Sequence, residues 1–209
     1  MHYAPRKLVR FPVPEAHRLA SLGSISSDLH AVLRYCTEAI QASRDHAGPS
    51  VEQALREAAV VRYGRCFATG VRAPLPRDLF ELAPDGVRVS HEHFIDVRNK
   101  HVAHSVNEYE ETDVVILLEK VGHRYEIFDV GTAHVQRSAL DGSDLPRLME
   151  LTKWLLEEVE NLSEAERKLL FDLALRIGRG TVSKYKSART GGISLRARNA
   201  NKRRKASDA

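Results

Sequence analysis

Long apolar runs are missing from this chain. The densest, Val114–Leu118, spans five residues, far short of the roughly 18 a membrane-spanning helix needs. No transmembrane helix or membrane partner is expected. The N-terminal stretch also lacks the apolar core of a secretory signal; Pro5, Pro12 and Pro14 punctuate it, with charges between them. Cysteine is scarce, only Cys36 and Cys66. No CxxC-type pair exists to hold zinc, and two reduced core thiols in a cytoplasmic protein are the expected reading. The common catalytic signatures are missing too: no P-loop, no Gly-x-Gly-x-x-Gly after a strand, no Gly-x-Ser-x-Gly and no His-Glu-x-x-His. No internal repeat is visible, and nothing calls for a cofactor.

What is present is enough for a core. Hydrophobic residues make up 43% of the 209, an ordinary globular content, and the length suits one domain with a tail. The net charge of +4 conceals an asymmetry. Between Lys184 and Ala209 lie nine basic residues and one acid, a net +8, so the other 183 residues carry −4. Residues 181–209, with Lys202, Arg203, Arg204 and Lys205 near the end, are expected to be a disordered basic tail able to contact phosphates.

Hydrophobic spacing predicts a helix over about 14–44, with Gly23 offering a break and Ser27 a cap for a second piece. Ser50 and Gln53 form a capping-box pattern for a helix running to about Thr69 and stopping at Gly70. Its apolar stripe, Leu55, Ala59 and Cys66, includes Arg62. Either the arginine's stem packs while its head reaches water, or Arg62, with Arg65, binds an anion such as a nucleic-acid phosphate. Residues 71–89 read as loop with a helical turn near Leu79–Leu82, and Ser90 as the cap of the next helix. Residues 113–120 and 125–129 predict a β-hairpin turning at Val121–His123, with a short third strand near Ala133–Gln136. Pro146 opens a helix to about Asn161. Ser163 and Glu166 suggest a capping box for a last helix ending at Gly178. The whole is a mainly α helical domain over 1–180, with a β-hairpin insertion at about 112–137.

The segment 91–105 holds four of the ten histidines. On a helix of about 100° per residue, Phe94, Val97, Arg98, His101 and His104 share an arc of about 120°. Asn99 falls off that arc by about 100°, unless the helix unwinds near it. His91 and His93 lie near the expected helix start. An apolar face that continues into Arg98, His101 and His104 carries those groups to the packed surface, where they need partners or an anion. A histidine can pass a proton either way near neutrality, and an arginine fork suits phosphate oxygens. Two plainer readings compete. Cationic side chains favour a helix C-terminus. His101 and His104 could ligate a metal, although no carboxylate sits at ligand spacing and Arg98 and Lys100 repel a cation.

Arg98-Asn99-Lys100-His101-Val102-Ala103-His104 resembles the signature of the HEPN superfamily, an arginine followed by a polar residue, with four to six residues between the arginine and a histidine. The wording of residues 98–105, and of Val60–Phe67 followed by Gly70–Arg72, is similar to the branch linked with abortive infection and toxin–antitoxin systems. The resemblance spans roughly 15–175. It implies an up-and-down helical bundle that forms homodimers, whose signature helices build one composite cleft. In catalytic members that cleft is a metal-independent endoribonuclease site. By that pattern Arg98 holds the scissile phosphate, His104 serves as base or acid, Asn99 orients His104 or the phosphate, and His101 is a second histidine on the same arc. RNA is then the expected substrate, and an antitoxin or regulatory protein a further partner. The alternative is a non-catalytic dimer that binds nucleic acid or a nucleotide, its tail supplying phosphate contacts.

Overall fold

A computed structural model describes residues 7–46, 48–102, 110–136, 140 and 143–188. Helix α1 (Ala16–Arg44) buries Leu22, Ile25, Leu29, Val32, Cys36 and Ala39 on one stripe. It runs unbroken through Gly23, contrary to the expected break. A helical glycine costs about 1 kcal/mol, and the burial of this stripe outweighs that, while Ser27 caps nothing. The chain then reverses through His46 and Gly48, both at positive φ.

Helix α2 (Pro49–Gly64) starts with proline in its first turn and has no side-chain cap. Ser50 is therefore inside the helix and does not cap it; Pro49 has no N–H that needs satisfying. The helix ends at Gly64, five residues before the predicted Thr69, because the chain turns over Arg65–Phe67 to bury Cys66. The Leu75 N–H then bonds the Cys66 carbonyl. Asp28 midway along α1 meets Arg62 near the end of α2, so the two helices form an antiparallel pair.

A short 3-10 turn (Arg77–Phe80) leads to α3 (Asp85–Val97). Here too the predicted start was late. The Pro84 carbonyl accepts the first helical N–H groups and Asp85 complements the helix dipole. Ser90 sits mid-helix, donating to the Gly86 carbonyl and accepting from Arg147 Nε at 2.9 Å. Phe94 and Val97 are buried. After Val97 the backbone widens into a π turn, Arg98–Val102.

Strands β1 (Glu110–Val121) and β2 (Arg124–Gln136) form one antiparallel ribbon with Gly122 at positive φ in its tip. The predicted third strand is the continuation of β2, and Gly131 does not end it. A register shift between Leu117 and Leu118 leaves Phe128 unopposed, a bulge. Helix α4 (Asp144–Ile177) is one continuous helix. The expected stop at Asn161 is absent because nothing between Arg147 and Ile177 is Gly or Pro. Ser163 is buried within the helix and is not a cap.

The core lies within residues 14–170, one of two compact units. α4 joins that core through Leu148, Leu151, Leu155 and Val159. Its start is fixed by His93 to Asp144 at 3.1 Å and by Arg56 donating to the Leu140 carbonyl. Arg18 pairs with Glu166 further along. Among the described residues the second unit combines 7–13 and 171–188. In it Val9 bridges Ser187, the Ala188 N–H bonds the Leu8 carbonyl at 3.0 Å, and Phe11 meets Tyr185. Structure therefore continues through Ala188, past the predicted start of the tail at 181, with α5 (Arg179–Val182) inside it. Lys202, Arg203, Arg204 and Lys205 lie outside the described residues.

Both cysteines are free and buried, as expected for core thiols. Burial pushes each thiol up to about 12, so neither is a nucleophile near neutrality. Among the described residues no helix is long and apolar enough to cross a membrane.

Candidate active site

Three segments of the larger unit enclose a cavity of about 620 Å³. The end of α2 contributes Gly64, Phe67 and Ala68; the 3-10 turn and the residue after it contribute Phe80 and Glu81. The outward face of α3 and the π turn contributes Arg88, His91, Glu92, Ile95, Arg98 and Asn99.

Arg98 is positioned from below by a glycine. A Cβ built on Gly64 would lie 2.9 Å from Arg98 Cγ and 3.2 Å from Cδ, so the guanidinium stem lies directly on the α2 backbone. A larger residue at 64 would displace it. Arg98 Nη1 donates to Asn99 Oδ1 at 2.9 Å. Among the described residues no carboxylate pairs with Arg98, which leaves its charge free for an anion. The spacing of an ideal helix separated Asn99 from Arg98; the π turn supplies the local unwinding that joining them required. Such turns recur at functional sites because the widened backbone redirects side chains.

His91, expected near a helix start, lies inside α3 and lines the cavity. Its ring stacks on Phe80 with centroids 3.8 Å apart and planes 17° apart, and lies 4.6 Å from the Phe67 ring. The Tyr63 hydroxyl, which has no other acceptor among the described residues, donates to His91 Nδ1 at 2.7 Å. That assignment leaves the proton of the neutral ring on Nε2. Burial lowers the His91 pKa from 6.5 to about 4, so the ring is neutral at physiological pH. Burial likewise raises Tyr63 well above 10 and keeps its hydroxyl a donor. The signal was available: His91 precedes Arg98 by seven residues, two helical turns, and so shares its face.

His93, by contrast, is held against Asp144 on the side facing α4. The backbone of His101 lies in the π turn; its side chain and all of His104 lie outside the described residues. The structure therefore brings Arg98 and Asn99 together, with His91 and not the expected histidines as their described neighbour.

Arg62 and Arg65 belong to a different place. Asp28, buried in α1, receives Arg62 Nη1 at 2.8 Å and Arg72 Nη1 at 2.8 Å, and Arg65 Nε lies 3.6 Å away. Burial raises the Asp28 carboxyl, but hydrogen bonds from Arg72 and Arg62 and the charge of Arg65 outweigh it. The result lies below the usual 3.8. One carboxylate thus gathers three guanidiniums, leaving two positive charges in excess. Arg62 is neither a snorkelling stem alone nor free; its head is fixed by a buried partner that the α2 stripe did not reveal.

The chain matches no family model, no curated protein and no solved structure.

Proposed function

We propose that the chain is a metal-independent endoribonuclease of the HEPN type, working in the cytoplasm as a homodimer with a composite cleft. Its role would be that of a toxin or phage-defence effector, restrained by an antitoxin or regulatory partner. The observation that supports this most is the π turn at Arg98–Val102. It sets Arg98, which among the described residues has no carboxylate partner, beside Asn99, at a cavity, within the Arg-to-His motif. Arg98 holds a non-bridging oxygen of the scissile phosphate and offsets the charge that grows there. Asn99 accepts from Arg98 and keeps its own NH₂ free for phosphate. A histidine of the motif, His104 or His101, takes the proton from the ribose 2′-OH. The 2′-oxygen attacks phosphorus, the bond to the 5′-oxygen breaks, and that oxygen takes up a proton. The products are a 2′,3′-cyclic phosphate and a 5′-hydroxyl.

Purified dimer should cut RNA in the presence of a chelator and leave cyclic-phosphate ends. Arg98→Ala and His104→Ala should each lower cleavage about a hundredfold or more with helicity retained. A broad pool of RNAs left intact by folded dimer, or variants that cut as well as the parent, would remove this reading.

One observation favours a second reading, binding without cleavage. The three arginines around Asp28 form a cationic surface, suited to gripping a phosphate backbone.

A further inference from the structure

We propose that the cavity beside Arg98 is a nucleobase subsite. An unstacked base lies against the wall made by Phe67, Phe80 and His91, gives its edge N–H groups to Glu81 and Glu92, and sets its phosphate at Arg98. This rests on the RNA-cleaving reading for the source of the base; the recognition of a nucleoside phosphate does not.

The size is suitable: about 620 Å³ falls within the range of small-ligand sites and admits a base with its ribose. The wall is preassembled. Phe80 and His91 stack at 3.8 Å, Phe67 lies 4.6 Å from His91 and 5.8 Å from Phe80. Phe80 is buried with His91 stacked on it and so backs the wall, whose accessible rings are the half-buried His91 and Phe67; no ring has to be ordered when a base arrives, and every base has a π face for such a wall. The neutral state of His91 removes the cost of covering a charge. The cavity is also polarised. Arg98 and Asn99 stand at the π-turn end, and Glu92 sits six residues earlier, about 9 Å along α3. Among the described residues the carboxylates of Glu81 and Glu92 have no hydrogen-bond or ion-pair partner. Ionised, they can only accept, so both select edges that donate, and Glu92 keeps a phosphate away from its end. Arg88, on the same wall, is already held by Asp85 at 2.9 Å. The chemistry therefore favours bases carrying an amino group, namely guanine, adenine and cytosine, over uracil.

The test uses the full chain. Calorimetric titrations with GMP, with UMP and with 2′-O-methyl RNA trinucleotides of G or U read binding without cleavage, since the blocked 2′-oxygen cannot attack. RNA cleavage is measured alongside. Expected are a preference of about tenfold for G over U and a loss of about tenfold or more in Ala68→Trp, the scale of one base–aromatic stack. Ala68 is exposed, so the indole fills the cavity without entering the core, and the melting temperature reports its folding. Glu81→Gln with Glu92→Gln should erase the G preference while binding persists. Tighter binding of trinucleotide than of GMP identifies RNA as the source; the reverse identifies a free nucleotide. The subsite is overturned if nothing binds, or if Ala68→Trp and the double variant bind both bases as the parent does. Cleavage that proceeds unchanged in Ala68→Trp discards the subsite and spares the nuclease. Binding lost in Ala68→Trp, in a protein that never cuts, does the opposite.

Discussion

Gly64 and His91 carry the two sharpest consequences at the scale of single residues. Gly64→Ala places a methyl 2.9 Å from Arg98 Cγ, a stem atom, so the whole side chain must shift where a tip would only swing aside. Helix propensity itself favours alanine by up to about 1 kcal/mol. The variant is expected to melt no lower than the parent yet lose RNA cleavage about tenfold or more, the cost of a reacting group shifted by an ångström. His91 predicts a pH limb. Its folded pKa of about 4 lies below the free value of 6.5, so the unfolded chain binds the extra proton in that window. Stability is therefore full above pH 6.5 and falls as pH drops towards 4. The loss is about 1–2 kcal/mol once residual solvent contact is allowed for. Urea unfolding across pH 4–7 should show this limb, and His91→Gln should flatten it. Asp28, with its lowered carboxyl, acts only below that window. The sequence showed Arg98 and Asn99 as candidates but misplaced His91 along its helix. Reading Ser90 as the cap put His91 at a helix start, whereas the helix begins at Asp85 and His91 lies within it. Asp28 and Arg72 were also invisible, since a carboxylate on one helix and guanidiniums 34 and 44 residues later meet only through tertiary packing.

At the scale of elements, type was legible and boundaries were not. Helix α1, the antiparallel ribbon and α4 follow from apolar spacing at 3.6 and 2.0 residues. Capping patterns misled at Ser27, Ser50, Ser90 and Ser163, each of which ended up inside a helix. Packing of a long apolar stripe decides continuity more strongly than a side-chain oxygen, whose cap contributes about 1 kcal/mol. The ribbon has a property that its sequence pattern did not announce. By register, Val114, Ile116 and Leu118 share a face with Tyr125, Ile127 and Val130, and all are exposed, Val114 at 75% and Ile127 at 71%. Two strands alone are marginally stable in water, and exposed apolar faces of this kind commonly mark interaction surfaces. Replacing Ile116 and Ile127 together by lysine should change the unfolding free energy of the helical core by no more than about 0.5 kcal/mol. A larger drop in a denaturant titration would mean that the ribbon packs on the core.

At the scale of the whole molecule, the basic residues are unevenly distributed between the described chain and its end. Seven of the nine cations counted from Lys184 onwards follow Ala188. Truncation after Ala188 should lower the slope of log affinity against log salt for single-stranded RNA by up to about 5, if every one of them meets a phosphate. Cleavage should survive the truncation if Arg98 carries the chemistry, whereas a protein that only grips the backbone should bind more weakly and cut neither before nor after it. Filter binding at several salt concentrations, with a cleavage assay alongside, separates these outcomes.

The pairing of Leu8 with Ala188 and of Val9 with Ser187 makes the order of the chain a matter of convenience. Leu8 and Val9 are already neighbours of Ala188 and Ser187, so in a chain cut down to residues 7–188 a linker of a few glycines could join Lys7 to Ala188. A new opening could then be cut at Gly122 and His123, in the tip of the ribbon. Such a rewired chain is expected to show the same helical circular dichroism as the parent, because no helix is cut and no core contact is lost.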